Sequence, residues 1–296
     1  MDLALPGSGG KVTIEPAFGV GSIFRGARDS ELMDFRDRVI LVTGAASGIG
    51  RALCRQLGSA GARLGLVDRD QAGLERFCSE LDTAGVQTAS AVADVRRREE
   101  VRKAVALLTE RLGPVDVLIP CAGICGFEVV DDLNVPQVEK MLQINFLGVV
   151  YAIDAVLPSM LQRKSGRIVG IASLAGVRAI PFEPAYCASK AGLAAYLESL
   201  RPALRRRGVL VTTIFPGFVQ TPLLDGLMAA GQTKVPPGAI DADTCAAKII
   251  AAVRRGKRVA SFPWSTSWMV SLARFLPPGL YDRIMTRMAA RIKLPY

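Results

Sequence analysis

Residues 39–50 read VILVTGAASGIG, and the interpretation of the whole chain starts from this segment. Its first five residues are apolar or β-branched, as in a buried strand, and a helical pattern begins near Arg51. Glycines allow a tight turn, and the helix that follows offers unpaired N–H groups and a positive dipole end to a pyrophosphate. The spacing is G-x-x-x-G-x-G rather than the commoner G-x-G-x-x-G. The segment predicts a dinucleotide site at Gly44, Ser47, Gly48, Ile49 and Gly50.

A carboxylate ends the next candidate strand, Leu64–Asp68, and lies 18 residues after Gly50. At that position it can accept both hydroxyl hydrogens of an adenosine ribose and would repel a 2′-phosphate, which favours NAD over NADP. Arg69 offers a positive charge to a 2′-phosphate, so NADP stays an alternative. Asp68 could also be only a helix N-cap or a turn residue.

Short β-branched runs alternate with longer helical patterns along the chain. The candidate strands are Val39–Thr43, Leu64–Asp68, Ala89–Asp94, Val117–Cys121, Arg167–Ser173 and Val209–Phe215. Apolar strands separated by helices require a parallel sheet covered on both faces, with right-handed crossovers. We therefore predict an α/β fold: a single Rossmann-type, doubly wound domain over residues 36–263, after a poorly ordered arm at 1–35 and before a helical extension at 264–296.

The composition excludes several classes of chemistry. The 296 residues include no histidine, which rules out a Ser-His-Asp triad, a Cys-His pair and a His-ligated metal, and we expect no metal site. The six cysteines form no C-x-x-C pair and no secretory signal is visible, which favours reduced thiols and a cytoplasmic location. No uncharged stretch looks suited to a membrane span, so no transmembrane segment is predicted.

The net charge of +10 indicates no particular partner. Much of it lies in the arginine clusters at 96–98, 205–207 and 254–258, at the edges of predicted helices where solvated charge is usual. Because no basic stripe is interleaved with aromatic residues, nucleic acid is not expected as a partner.

Tyr186 and Lys190 lie four residues apart in a helical pattern, so their side chains share one face. Such a pair is common by chance, but here it follows a buried-looking strand that ends in Ser173, where doubly wound sheets open their crevice. A tyrosine with an ordinary pKa of about 10 is a poor base at neutral pH. A nearby ammonium and a cationic nicotinamide both favour its phenolate, so we expect a lowered pKa and a proton-transfer role for Tyr186.

These motifs together resemble the short-chain dehydrogenase/reductase family over residues 36–263. The residues that carry the resemblance are Thr43–Gly50, Asp68, Ser173, Tyr186 and Lys190. It implies that Tyr186 is the general acid/base, that Lys190 holds the nicotinamide ribose and lowers the tyrosine pKa, and that Ser173 hydrogen-bonds the reacting oxygen. Asn145 matches the family's helical asparagine, which braces a water linking the lysine to solvent.

Further motifs of the family match the cofactor-binding segments. Asp94-Val95 matches its adenine-contacting pair, and Pro216-Gly217 matches the motif after the sixth strand, which places Val219 and Thr221 at the nicotinamide carboxamide. One motif departs: the chain reads Pro120-Cys121-Ala122-Gly123 where the family usually has Asn-Asn-Ala-Gly. Ala122 and Gly123 can still pass the adenosine ribose, but Cys121 cannot supply an amide's hydrogen bonds.

The residues around the predicted crevice are mostly apolar, although several could simply be core. They are Ala175, Val177, Ile180, Pro181, Phe182, Phe218, Leu223, Leu224, Leu227 and Met228. Such walls suit a large hydrophobic alcohol or ketone better than a sugar. The Gly- and Pro-rich segment 219–237 resembles the family's mobile substrate loop.

The C-terminal extension contains a basic amphipathic pattern. Leu280, Ile284, Met288 and Ile292 fall on one helix face, with Arg283, Arg287 and Arg291 beside them. This helix either packs over the domain or across a subunit interface, or it makes peripheral membrane contact.

We predict an NAD(P)-dependent oxidoreductase in which hydride leaves the carbinol carbon as Tyr186 takes the hydroxyl proton. One alternative is a non-catalytic dinucleotide sensor on the same fold, and another is an isomerase or dehydratase that keeps NAD as a prosthetic group. Net redox change of the cofactor distinguishes these classes. The family resemblance also implies a homodimer or homotetramer.

Overall fold

The computed structural model describes residues 32–128, 131, 133–224 and 238–292. The compact unit that contains them spans Leu32–Tyr296. In this part of the chain the strands are β1 (Val39–Thr43), β2 (Arg63–Asp68), β3 (Thr88–Val92), β4 (Val117–Pro120), β5 (Gly166–Ile171), β6 (Val209–Pro216), β7 (Val219–Gln220), β8 (Ile240–Asp241) and β9 (Val259–Phe262).

The α-helices whose full bounds lie among the described residues are nine, and residues 222–224 are also helical. The nine are α1 (Gly48–Ser59), α2 (Gln71–Thr83), α3 (Arg98–Leu112), α4 (Val135–Leu142), α5 (Gly148–Arg163), α6 (Pro184–Arg206), α7 (Ala242–Arg254), α8 (Trp264–Ala273) and α9 (Pro278–Ile292). A π-helical turn, Gln143–Leu147, joins α4 to α5, and a 3-10 turn, Leu174–Gly176, follows β5.

The described strands form a seven-stranded parallel sheet in the order β3-β2-β1-β4-β5-β6-β9, and β7 pairs separately with β8. The chain builds β1, β2 and β3 in one direction and then crosses to β4 on the other side of β1. The crevice at the carboxyl ends of β1 and β4 is therefore the switch point at which doubly wound sheets bind ligands. The predicted α/β, doubly wound parallel sheet is confirmed.

Both faces of the sheet are covered, as the apolar strands require. Along β1, Ile40 and Val42 face the core cluster that includes residues of α1, α2 and α7. Leu41 faces the opposite cluster, built with α3, α5 and α6. This alternation, with every residue of β1 buried, is the pattern of a central parallel strand.

The edge strand β9 was not predicted. It has only four residues, and Val259 and Ser261 are exposed while Phe262 is buried, so it lacks the continuous apolar run that marks the central strands. An edge strand pairs on one side only, here with β6, and needs less apolar sequence to form.

The helical run Val135–Arg163 has the length and hydropathy to cross a membrane. Its α5 part contributes Ala152, Ile153 and Val156 to the core cluster against the sheet. The α5 part of the run therefore packs against the sheet, and length and composition alone are weak grounds for a span.

Residues 1–31 of the predicted N-terminal arm lie outside the described residues, but its last residues pack on the domain. The Met33 N–H donates to the Arg254 carbonyl at 2.9 Å. Phe35 is 1% exposed, belongs to the core cluster of α1 and lies with its ring centroid 5.5 Å from the Arg254 guanidinium carbon. Phe35 is thus a core residue of the domain.

We expect Phe35→Ala to lower the free energy of unfolding by about 3 kcal/mol, because it removes a fully buried ring and leaves a cavity. Leu32→Ala is the matched control, since Leu32 is 63% exposed, and its cost should stay below about 0.5 kcal/mol. Denaturant titration measures both values. Equal, small losses in the two variants would show that residues 32–35 do not belong to the folded core.

Candidate active site

A cavity of about 510 Å³ opens at the carboxyl ends of the central strands. Every predicted cofactor-binding residue lines it: Gly44, Ser47, Gly48, Ile49, Gly50, Asp68, Arg69, Asp94, Val95, Ala122, Gly123, Pro216, Gly217, Val219 and Thr221. Ser173, Tyr186 and Lys190 line it as well. The fourth predicted catalytic residue, Asn145, lies buried behind the wall.

The glycine turn after β1 has a shape that side chains would block. A Cβ on Gly50 would lie 2.2 Å from the Gly44 carbonyl oxygen, and one on Gly44 would lie 2.7 Å from the Ala122 nitrogen. Gly44 also has a φ of +67°, in the left-handed region that favours glycine. Ser47, the N-cap of α1, makes no side-chain cap hydrogen bond, so the first N–H groups of α1 are not capped by it. The turn therefore fits a pyrophosphate at the helix N-terminus.

Asp68 lines the cavity and bonds the backbone on both sides of it, while Asp70 is the N-cap of α2. One carboxylate oxygen accepts the Ala46 N–H at 2.9 Å, and the other accepts the Asp70 N–H at 3.1 Å. These bonds fix the carboxylate between the glycine turn and the start of α2. An ionised carboxylate has about four acceptor positions, so two hydroxyl donors can still be bound on the cavity side. Arg69 is exposed at the same rim.

Asp94 is held by a neighbouring arginine. The Arg96 guanidinium Nε lies 3.0 and 2.8 Å from the two Asp94 oxygens, and the Arg96 N–H donates to the same carboxylate at 3.0 Å. The Arg96 hydrogen bonds hold the Asp94 pKa below its ordinary value. Val95 is buried against Gly148, where a Cβ would lie 3.1 Å from the valine side chain. The segment thus presents an ionised, fixed carboxylate at the cavity.

The segment with the departure at Cys121 is bonded to Thr43 at the end of β1. The Cys121 N–H donates to the Thr43 carbonyl at 3.0 Å, and the Ala122 N–H donates to the Thr43 hydroxyl at 3.3 Å. Burial raises the pKa of the Cys121 thiol to about 12, so it is a neutral, apolar filler at physiological pH. Backbone and hydroxyl bonds to Thr43 therefore brace the end of β4.

Asn145 connects the loop after β4 to α6. Its amide NH2 donates to the Ile124 carbonyl at 2.8 Å and to the Ser189 hydroxyl at 3.0 Å, and its oxygen accepts the Ile124 N–H at 2.9 Å. The π-helical turn brings this side chain into the protein interior, where it is fully buried. Because Ser189 precedes Lys190, the asparagine positions the segment that carries the lysine.

Ser173, Tyr186 and Lys190 meet at one wall of the cavity. Lys190 is buried, donates to the Ile171 carbonyl at 2.9 Å and places its ammonium 5.7 Å from the centroid of the Tyr186 ring. The Ser173 hydroxyl accepts the Ala175 N–H at 3.2 Å and lies beside the Tyr186 phenol. The predicted juxtaposition of phenol, ammonium and serine hydroxyl is present.

The pKa of Tyr186 is raised in the protein alone, whereas the sequence favoured a lowered value. Burial is the main cause, and Cys125, Glu183 and Cys187 add to it, while the hydrogen bond with Ser173 opposes it. Burial lowers the pKa of Lys190 to about 8. A buried wall thus disfavours charge on both groups, and the phenolate needs a further positive charge beside it.

Several site residues were missed because their positions depend on distant contacts. The Glu128 carboxylate accepts the Ala185 N–H at 3.0 Å and so supports the first turn of α6. Glu183 lines the cavity and lies 3.4 Å from the Cys125 sulfur, and burial raises its pKa. A carboxylate beside Pro184 and Tyr186 in a largely apolar segment was the available signal for Glu183.

The predicted apolar walls are present in part. Ala175, Ile180, Phe218, Leu223 and Leu224 line the cavity, whereas Val177, Pro181 and Phe182 are not among its lining residues. Leu227 and Met228 lie outside the described residues, as does the 225–237 part of the predicted substrate loop. The cavity is also lined by four residues with polar groups that were not predicted: Arg178, Glu183, Cys125 and Thr266. The substrate end of the cavity is therefore apolar with a small charged region.

Comparisons with known proteins agree with this geometry. Residues 38–230 match the family model for short chain dehydrogenase. An uncharacterized oxidoreductase of Myxococcus xanthus is 34% identical over 251 residues, which cover 85% of this chain and 97% of that protein. Dehydrogenase/reductase SDR family member 7B of Mus musculus is 34% identical over 269 residues, covering 86% of this chain and 82% of that protein. The crystal structure of levodione reductase matches with a TM-score of 0.73 and 30% identity, over 79% of this chain and 99% of that one.

We expect Lys190→Met to stabilise the protein at neutral pH. The lysine pKa falls from 10.5 to about 8 on folding. Below pH 8 the amine is charged in both states, so the cost of burying the charge, about 3 kcal/mol, is fully present, and it disappears as the pH rises to 10.5. Loss of the bond to Ile171 offsets about 1 kcal/mol, which leaves a gain of about 2 kcal/mol at pH 7 that shrinks with increasing pH.

Denaturant titrations at pH values from 7 to 10 measure this gain, with the exposed Lys248→Met as the matched control. The control should change stability little at any pH. A stability difference for Lys190→Met that does not depend on pH would contradict the assignment of a buried, charged amine.

Proposed function

This chain belongs to the short-chain dehydrogenase/reductase family, an oxidoreductase family that uses NAD or NADP, and on that premise we propose that it interconverts a hydrophobic secondary alcohol and its ketone, with NAD as preferred cofactor. The observation that carries the proposal is the single cavity that joins the glycine turn at Gly44–Gly50 to the wall formed by Ser173, Tyr186 and Lys190. A dinucleotide and a reacting carbonyl can therefore lie side by side.

Proton transfer is assigned to Tyr186. When bound, the nicotinamide cofactor supplies the hydride acceptor or donor. The Tyr186 phenol lies beside the Ser173 hydroxyl, so both can contact the same substrate oxygen. In alcohol oxidation the tyrosine accepts the hydroxyl proton, and in ketone reduction it returns a proton to the oxygen, while Ser173 donates a hydrogen bond that holds this oxygen in place.

Lys190 supplies positive charge and a donor next to the phenol. Its ammonium already bonds the Ile171 carbonyl, which leaves two N–H donors for a ribose hydroxyl and for solvent-linked groups. At neutral pH it is largely charged, because its lowered pKa is still about 8. This charge favours the tyrosinate that alcohol oxidation requires.

The preference for NAD is proposed from Asp68. Its carboxylate is fixed by two backbone N–H groups at the cavity rim and would repel a 2′-phosphate. Arg69 lines the same cavity and weakens this discrimination, so NADP is the second cofactor to test.

The substrate class is proposed from the walls of the cavity. Ile124, Leu174, Phe218 and Leu224 provide an apolar surface beside the reacting wall. Glu183 and Arg178 line the same cavity, so a substrate with a second polar group can be bound there. Levodione reductase, whose crystal structure is similar to this chain, is named for a reduction. This name supports carbonyl reduction as one direction of the reaction.

A homodimer or homotetramer in the cytoplasm stays part of the proposal. The edge strand β9 pairs only with β6 in the described sheet, and Val259 on it is exposed. Such an edge is suited to contact with another chain.

We expect Tyr186→Phe to lower turnover by roughly 10²–10⁴-fold, because it removes the proton donor and acceptor but keeps the ring. Binding of NADH, followed by its fluorescence, should persist. Tyr196→Phe is the matched control, since this tyrosine lies in the same helix with its ring packed on Phe146, outside the cavity lining. The assay follows reduced-cofactor absorbance across a panel of hydrophobic secondary alcohols and ketones.

Full turnover in Tyr186→Phe would overturn the assignment of this residue. Bound cofactor with no net redox change for any substrate would instead favour an isomerase, a dehydratase or a non-catalytic sensor.

We expect Asp68→Ser to raise the ratio of NADP to NAD efficiency by at least about tenfold, equivalent to about 1.4 kcal/mol. Measuring both cofactors on one variant cancels any effect of the lost bond to the glycine turn. Glu75→Gln, an exposed carboxylate change on α2, should leave the ratio unchanged. A wild-type preference for NADP would contradict the proposed role of Asp68.

A further inference from the structure

Helix α8 has two faces with different surroundings. On its inner face, Thr266 and Val270 line the cavity, and Ser267 is buried. On its outer face, Trp264 and Trp268 are 79% and 59% exposed and stack with their ring centroids 6.5 Å apart. Residues four apart lie on the same face of a helix, so both tryptophans belong to the outer face. Helix α8 thus lies between the candidate active site and an exposed aromatic surface.

Exposed apolar side chains continue along the chain from α8 into α9. We define them as the α8–α9 face, made of Trp264, Trp268, Met269, Leu272, Phe275, Leu280 and Ile284, all of which are exposed. Of the predicted amphipathic face, Leu280 and Ile284 are 46% and 36% exposed in the single chain, while Met288 and Ile292 lie outside the residues whose side chains are described. Packing across a subunit interface and contact with a membrane stay predictions for this helix. Seven exposed large apolar side chains within residues 264–284 are more than scattered single exposures, and such a concentration marks an interaction site.

Tyr281 holds α9 in the orientation that leaves this face exposed. Its hydroxyl donates to the Ala179 carbonyl, and the Arg178 guanidinium carbon lies 3.8 Å from the centroid of its ring. Because the helix contacts the domain through this tyrosine, Leu280 and Ile284 remain on the solvent side.

The charges beside the face are mainly positive. Arg274, Arg283 and Arg287 are exposed, and Asp282 is the one acidic residue in the sequence from 264 to 287. A symmetric contact between two copies would bring this face onto itself and place like charges together. An anionic lipid surface instead complements the arginines and accepts tryptophan side chains at headgroup depth.

We propose that the α8–α9 face docks on a bilayer that contains anionic lipids. Membrane docking itself does not depend on catalysis. If the proposed function holds, a second consequence follows: the inner face of α8 brings the cavity beside the bilayer, so a lipophilic substrate can pass between the two without crossing bulk water.

The chain contains two tryptophans, and both lie in this face, so its fluorescence reports this surface directly. We expect vesicles of phosphatidylcholine with phosphatidylglycerol to shift the emission to shorter wavelength, and brominated lipids to quench it. Arg283→Gln/Arg287→Gln should weaken the vesicle affinity by roughly thirtyfold. Arg205→Gln/Arg206→Gln, exposed arginines at the end of α6, removes the same charge elsewhere and should change it much less.

Met269→Ser/Leu272→Ser keeps both tryptophans as reporters and removes apolar area, so it should reduce vesicle binding while its circular dichroism and thermal midpoint stay near the wild type. Emission and sedimentation of the wild type that are unchanged by anionic vesicles would overturn the proposal. A second copy of the chain as the occupant of this face would also overturn the proposal. In that case the wild-type emission lies at short wavelength without lipid and moves to longer wavelength on dilution, and Met269→Ser/Leu272→Ser dissociates a dimer. A protein that binds vesicles but turns over no alcohol or ketone would contradict the proposed function and leave this inference intact.

Discussion

Burial of the Lys190 ammonium beside the Tyr186 ring is the constraint on which the candidate active site depends. A buried charge is costly unless it is bonded, and here the Ile171 carbonyl at the end of β5 accepts one of its hydrogens. The same burial raises the pKa of the phenol, so the protein alone keeps Tyr186 protonated. The Tyr186 phenolate therefore needs further positive charge next to the ring in order to form near neutral pH.

The sheet topology brings this charged wall to the dinucleotide end. The chain crosses from β3 to β4 beside β1, so the glycine turn, the loop after β4 and the end of β5 lie along one edge. Two sets of hydrogen bonds fix the positions of these segments relative to one another. Thr43 braces the end of β4 through the Ala122 N–H, and Asn145 ties the next loop to Ser189, one residue before the lysine.

The fold and most of the cavity lining could be predicted because their signals are local in sequence. The apolar strands and the glycine turn have their own periodicity and backbone requirements, and Tyr186 and Lys190 share a helix face by spacing alone. What could not be predicted depends on distant contacts. The Thr43 hydroxyl bonds the Ala122 N–H across strands β1 and β4, Glu128 supports a helix more than fifty residues away, and Phe35 is buried because the domain offers it a core position.

The most direct test of the central claim is the titration of Tyr186 by phenolate absorbance, taken as wild type minus Tyr186→Phe, with and without oxidised cofactor. Without cofactor, the difference signal should appear only above the ordinary tyrosine pKa of about 10, because the phenol is buried. With NAD bound, the titration should move to lower pH, since a second positive charge then joins the Lys190 ammonium. A difference signal that does not move when NAD is bound would contradict the claim that phenol, ammonium and cofactor share one cleft.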